Sequence, residues 1–209
     1  YRMVARCAPT NSTVMLRGES GTGKELIARA IHFNSLRKDQ PFVTVDCASL
    51  SENLLESELF GHVKGSFTGA VSNKKGLLEA ADGGTLFLDE IGNISMSTQA
   101  KLLRFIEARE FKSVGDTVSK SVNIRLITAT NKDLEGMVGE GSFRDDLYYR
   151  INVFPIEIPP LRKRRDDIPP LAFHFLNQFS KEMGRIIKEF SAGAMNLLAN
   201  HDWPGNVRE

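Results

Sequence analysis

Short apolar runs alternate along the chain with longer stretches in which apolar residues return every three or four positions. The runs at 14–16, 42–45, 86–88, 124–129 and 154–158 are short and rich in strand formers, which predicts five strands. Leu26, Ile27, Ala30 and Ile31 share one helical face. So do Leu102, Leu103 and Ile106 within 97–108, and Leu171, Phe175, Leu176 and Phe179 within 171–183. This alternation predicts an α/β fold, a parallel sheet flanked by helices. The pattern changes at Pro155-Ile156-Glu157-Ile158-Pro159-Pro160, which is followed by charged residues at 162–167 and by Pro169-Pro170. A first α/β subdomain over 1–160 and a linker with a small helical subdomain over 161–209 are expected.

Composition narrows the picture only a little. The 209 residues are 41% hydrophobic and 25% charged, enough for one ordinary domain or a larger domain with a small one. A formal net charge of +1 gives no global field for nucleic acid. Cys7 and Cys47 are too few for a disulfide framework and suit a reducing, cytoplasmic setting. No apolar run approaches the roughly 18 residues of a membrane span, and no signal peptide opens the chain. The start at Tyr1 and the end at Val207-Arg208-Glu209, without a helix stop signal, read as an excised fragment.

Two segments carry nucleotide chemistry. Gly18-Glu19-Ser20-Gly21-Thr22-Gly23-Lys24 fits a glycine-rich phosphate loop, whose backbone N–H groups turn around phosphate oxygens and whose lysine supplies a point charge. The strand before it and the helix after it would complete an anion site. Glu25 stands where the usual pattern places a hydroxyl on magnesium. The second segment, Gly83-Gly84-Thr85-Leu86-Phe87-Leu88-Asp89-Glu90, is an apolar strand that ends in two acids, the natural place for carboxylates too costly to bury unpaired. Asp89 is the candidate magnesium residue and Glu90 the candidate for polarising an attacking water. Asn131-Lys132-Asp133 is followed by Leu134, which rejects a guanine-specificity motif.

Between these segments lies Gly61-His62-Val63-Lys64-Gly65-Ser66-Phe67-Thr68-Gly69-Ala70, which serves neither. Gly61, Gly65 and Gly69 make it flexible on both sides, and an apolar Phe67 on a mobile tip suits a partner contact. Residues 107–122 read as a second surface loop or a simple hairpin. Arg162-Lys163-Arg164-Arg165 has the look of a nucleic-acid patch, but Asp166 and Asp167 follow at once. The four histidines show no metal-ligand spacing, with each other or with the cysteines.

Nearly the whole chain resembles the AAA+ ATPase domain of bacterial enhancer-binding proteins, the activators of sigma-54 RNA polymerase. The resemblance rests on the phosphate loop with Glu25, on Glu58-Leu59-Phe60-Gly61-His62 and on Gly65-Ser66-Phe67-Thr68-Gly69-Ala70. It extends through 83–91, Phe143-Arg144-Asp145-Asp146-Leu147-Tyr148-Tyr149-Arg150, Pro160-Leu161-Arg162 and Trp203-Pro204-Gly205-Asn206-Val207-Arg208-Glu209. Ser66 replaces the alanine usual in the family loop.

The resemblance implies a P-loop NTPase with a five-stranded parallel sheet and an incomplete α-helical lid. It implies ATP and Mg2+ as ligands and a homo-oligomeric ring, hexamer or heptamer, that remodels sigma-54 RNA polymerase. Promoter or enhancer DNA would be met only through domains outside this chain. It assigns Asn131 as first sensor, Arg144 and Arg150 as arginine fingers, Arg208 as second sensor, and Phe67 and Thr68 as sigma-factor contacts. Pairing of the two arginines with Asp145 or Asp146 is the plainer alternative. Asp46 falls where the family commonly has an Asn that restrains the catalytic glutamate, so it is either a rewired switch or an acid capping the next segment. Residues 107–122 would flank the pore and support the first loop. Other AAA+ machines, of helicase-loader or metal-insertion type, and a scaffold with little turnover are the alternative functions.

Overall fold

The computed structural model describes residues 2–185 and 187–209. They divide into two compact units. One comprises the segment ending at Arg17 together with Lys24–Glu157, and the other comprises Gly18–Gly23 together with Ile158–Glu209.

In the first unit the order is α1 (Arg2–Cys7), β1 (Val14–Arg17), α2 (Lys24–Phe33), β2 (Phe42–Asp46), α3 (Glu52–Phe60), α4 (Leu77–Ala80) and β3 (Thr85–Asp89). It continues with α5 (Met96–Ala108), β4 (Glu110–Lys112), β5 (Ser119–Ser121), β6 (Arg125–Thr130), α6 (Leu134–Gly139), α7 (Asp145–Ile151) and β7 (Phe154–Glu157). All five apolar runs become strands of one parallel sheet in the order β2-β3-β6-β1-β7. β4 and β5 form a separate antiparallel hairpin. The central strands β3 and β6 are covered on both faces, which explains why they read as continuous apolar runs rather than as alternation. Leu86 and Leu88 of β3 belong to a core with Leu102, Phe105 and Ile106 of α5 and with Leu147 and Ile151 of α7.

Helix α5 starts one residue before the expected 97, where the Ser95 side chain accepts from the Thr98 N–H as N-cap. β6 opens on Arg125, which is 1% exposed. Its guanidinium donates to the carbonyls of Ala8 at 2.7 Å and Cys7 at 2.8 Å, satisfying the carbonyl end of α1. Register places Asp46 opposite Asp89, and Arg17 opposite both Thr130 and Glu157. The C-terminal edge of the sheet thus collects the polar residues, as in other open α/β sheets.

The second unit holds 3-10 turns at Leu161–Lys163, Arg165–Asp167 and Asn206–Arg208, with α8 (Ile168–Glu182) and α9 (Ala192–Asn200). α8 begins three residues before the expected 171. Pro169 and Pro170 fall in its first turn, where no intrahelical N–H is required. The predicted apolar face of α8, with Phe175 and Phe179, lines an open cleft of about 410 Å³ together with Leu198 and Trp203. Among the described residues no helix is long and apolar enough to cross a membrane.

Candidate functional site

At the polar edge of the sheet, Lys24 opens α2 with its side chain 6% exposed, and its Nζ lies 3.5 Å from Glu90 Oε1. Glu90 Oε2 accepts from the Asn131 N–H at 3.3 Å. The structure therefore gathers Lys24, Glu90 and Asn131 around one carboxylate. Glu90 follows β3 directly and adopts left-handed φ 51° and ψ 45°. That conformation costs a non-glycine residue about 1–3 kcal/mol and is found where geometry is over-determined.

Asp89 Oδ1 accepts from the Glu90 N–H at 2.9 Å. Burial pushes the Asp89 carboxyl above its ordinary value, against the pull of the Glu90 N–H and of Lys24, while Glu90 and Asp46 add to the rise. The same surroundings push the Cys47 thiol up to about 12, burial first and then Asp46, Asp89 and Glu90. Such a half-buried carboxylate, penalised for ionising, suits a divalent cation. Among the described residues no three His, Cys, Asp or Glu side chains form a metal-holding group.

Two sequence candidates behave differently. Asp46 Oδ1 accepts from the Ala48 N–H at 2.9 Å, so the capping alternative is the contact observed. Glu25 binds Arg29, one turn along α2, at 2.7 and 3.0 Å.

In the second unit the glycine-rich segment is stitched to both ends of the helical part. Gly21 and Gly23 have φ of 79° and 98°. A Cβ on Gly21 would come within 2.2 Å of the Gly205 carbonyl, and the Gly21 carbonyl accepts from the Val207 N–H at 3.0 Å. Glu19 takes a two-pronged contact from Arg162, one prong at 2.8 Å, and a further bond from Asn206 Nδ2 at 3.2 Å. Hydrogen bonding from Arg162, then from Asn206, lowers its pKa to about 2. Arg208 donates to Ser20 Oγ at 3.0 Å, and Arg164 to the Thr22 carbonyl at 2.9 Å. Thr22 Oγ1 donates to the Glu19 carbonyl at 2.8 Å.

Asn206 is fully buried with φ 54°, donates to the Ser20 carbonyl at 3.1 Å and accepts from the Leu161 N–H at 2.8 Å. Sequence reasoning missed Asn206 and Arg164, although both lie in quoted motifs. Arg162 and Arg164 hold this loop and Arg165 pairs with Asp202 at 3.6 Å, which removes most of the basic patch suspected at 162–165.

Arg144 and Arg150, the arginine fingers implied by the resemblance, flank and end α7 (Asp145–Ile151). Arg144 precedes α7 as its N-cap, and Arg150 is exposed in the last turn. The Arg144 guanidinium pairs with Asp146 at 2.7 and 3.0 Å, the plainer contact named above. Its backbone N–H donates to Gln99 Oε1 at 2.8 Å, and Gln99 Nε2 donates to the Ile94 and Ser142 carbonyls. Gln99 is fully buried and was not foreseen.

The Phe67 loop is closed by turns: the Gly65 N–H donates to Ala70 and the Ala70 N–H to Phe67, at 2.9 and 3.0 Å. Phe67 is 37% exposed and sets its ring edge-on to His62 at 5.1 Å between centroids. His62 Nδ1 lies 2.7 Å from Ser57 Oγ, and Thr68 is exposed. Gly61 is needed for packing rather than for flexibility, because a Cβ there would come within 2.5 Å of the Lys74 carbonyl. Gly65 and Gly69, by contrast, have open space around them. Beyond the end of α5, the 107–122 segment forms the β4/β5 hairpin, and its tip also meets the first loop. Val114 exchanges backbone bonds with Val63 and Gly61 at 3.1 and 2.9 Å.

Comparison with known proteins matches residues 1–157 to the sigma-54 interaction domain and residues 162–209 to an AAA+ ATPase lid domain. The Nif-specific regulatory protein of Herbaspirillum seropedicae is 61% identical over all 209 residues, which span 39% of that relative. The transcriptional regulatory protein ZraR of Salmonella typhimurium is 56% identical over 206 residues, 99% of this chain and 47% of its own length. The chain thus spans less than half the length of these curated relatives. NtrX of Brucella abortus, solved in complex with ADP, superposes with a TM-score of 0.92 at 42% identity, covering 99% of this chain and 45% of that one. With the five-stranded parallel sheet and the matched lid, the chain belongs to the sigma-54 interaction domain family of AAA+ P-loop NTPases.

Proposed function

We propose that this chain is a magnesium-dependent ATPase that assembles into a homo-oligomeric ring and remodels sigma-54 RNA polymerase to activate transcription. The observation that carries the reading is Glu90, held in a left-handed turn with its carboxylate between Lys24 and the Asn131 N–H. The backbone of Gly18, Glu19, Ser20, Gly21, Thr22 and Gly23 would surround the phosphates, with Lys24 as the charge that reaches them. Glu90 would accept a proton from water as it attacks, and the Asn131 side chain would orient that water or the terminal phosphate. Asp89 would hold magnesium, which supplies charge neutralisation at the phosphates when bound.

Arg144 and Arg150, reaching a neighbouring subunit, would stabilise charge on the transferring phosphoryl group, an effect worth about 10³–10⁵ in rate. To do so Arg144 must exchange Asp146 for phosphate. Arg208, already on Ser20, would report the state of the phosphate loop. Phe67 and Thr68 would contact the sigma factor, and ATP-state-dependent contacts would shift the loop between resting on His62 and extending. NtrX of Brucella abortus has been solved with ATP as well as with ADP, which supports the nucleotide part of this reading.

Turnover per subunit is expected to rise with protein concentration, and Glu90→Gln to lower it at least about 100-fold while nucleotide binding persists. Turnover independent of concentration would overturn the trans-acting arginines.

A further inference from the structure

α7 ends in the turn that carries Arg150 and begins directly after Arg144, and the phenol of its Tyr148 bonds to Arg17 at the sheet edge. Tyr148 OH accepts from Arg17 Nη2 at 2.7 Å and from Asn152 Nδ2 at 2.7 Å, and it donates to Glu135 Oε1. A tyrosine hydroxyl has one proton to give and two lone pairs to fill, so this one is saturated. Arg17 also donates twice to Glu135 Oε1 at 3.2 Å, and its guanidinium carbon lies 5.7 Å from the centre of the Tyr148 ring. Tyr148 is 6% exposed, while the adjacent Tyr149 is 74% exposed.

Arg17 is the last residue of β1, is opposite Thr130 and immediately precedes Gly18. Hydrogen bonds therefore run from the end of β1, paired with the strand that leads into Asn131, to the helix that follows Arg144 and carries Arg150. A second tie leads to the same helix: Gln99 binds the Arg144 N–H and the carbonyl of Ile94, which follows the turn begun by Glu90.

We propose that Arg17 and Tyr148 are positioning residues that hold α7 in register with the nucleotide-binding edge of its own subunit, so that Arg144 and Arg150 are presented to the neighbour at a fixed height. The inference rests on the trans-acting role given to those arginines above. It adds a direction: the clamp matters in the subunit that donates arginines, not in the one that hydrolyses ATP.

Mixed assemblies of the full chain test it. Arg144→Ala subunits keep Glu90, and Glu90→Gln subunits keep the arginines, so mixing them is expected to restore part of the turnover. Adding Tyr148→Phe to the Glu90→Gln partner is expected to lower that restored turnover roughly tenfold, the factor that loss of about 1.4 kcal/mol produces. Adding Tyr148→Phe to the Arg144→Ala partner instead is expected to leave it unchanged, as is binding of a fluorescent ATP analogue to either. Equal restoration from both placements overturns the clamp. A fall from both shows that Tyr148 only supports the fold, and also overturns it. No restoration in the parental mixture removes the trans-acting reading itself, a failure visible before Tyr148 is touched.

Discussion

The carboxyl of Asp89 is half-buried beside Glu90 with Asp46 across the sheet, and burial raises its pKa despite the Glu90 N–H and Lys24. A carboxyl whose folded-state pKa lies above its unfolded value is favoured protonated by folding. Its ionised form therefore costs stability once pH has risen through the raised value. Asp89→Asn is accordingly expected to raise the melting temperature at neutral pH, with the gain shrinking as pH falls through the raised value and gone below the ordinary carboxylate range, and to abolish turnover. Thermal melts of both proteins across that range check it, and a variant that melts lower at neutral pH contradicts the electrostatic reading of the edge. Glu19 has the opposite sign. Its pKa is held at about 2 by Arg162 and then Asn206, so its contact is intact at neutral pH and is lost only in strong acid.

Among the elements, the Phe67 loop and the β4/β5 hairpin form a coupled pair. Gly115 has φ 80°, and a Cβ on it would come within 2.5 Å of Ser66 Cβ. Gly115→Ala therefore combines left-handed strain with overlap. It is expected to cost about 1–3 kcal/mol and to lower the melting temperature by roughly 2–10 °C for a chain of this size. A melting temperature within error of the parent would show that the two loops do not press on each other.

The strands and α5 were legible because burial on a sheet or along one helix face leaves a periodic trace in neighbouring residues. The ties of Arg125 to Ala8, Gln99 to Arg144, Tyr148 to Arg17 and Asn206 to Ser20 were not, because each joins segments far apart in sequence and leaves no local pattern. Phe67 was placed on a mobile tip from its glycines. Gly61 proves fixed by contact with 74–76, and the openness is confined to Gly65 and Gly69. Asp46 kept two meanings in the sequence, and its bond to Ala48 shows what a short acid at a strand end does first, which is to close the following turn.

For the whole molecule, Lys24, Asp89, Glu90, Asn131 and both candidate fingers belong to the first unit. Glu19, Ser20 and Arg208 belong to the second. Each unit organises its share with buried polar side chains, Gln99 in one and Asn206 in the other, whose hydrogen bonds are specific to one backbone arrangement. The Phe67 loop lies in the first unit, the unit that carries the glutamate proposed for hydrolysis. The most direct measurement of the central claim is capture of sigma-54 RNA polymerase by the chain in the presence of an ATP transition-state analogue, with wild type beside Phe67→Ala. Wild type is expected to retain the polymerase, and Phe67→Ala to retain at least about tenfold less, in keeping with an aromatic anchor at an interface. Equal capture by the two proteins would contradict the assignment of the loop.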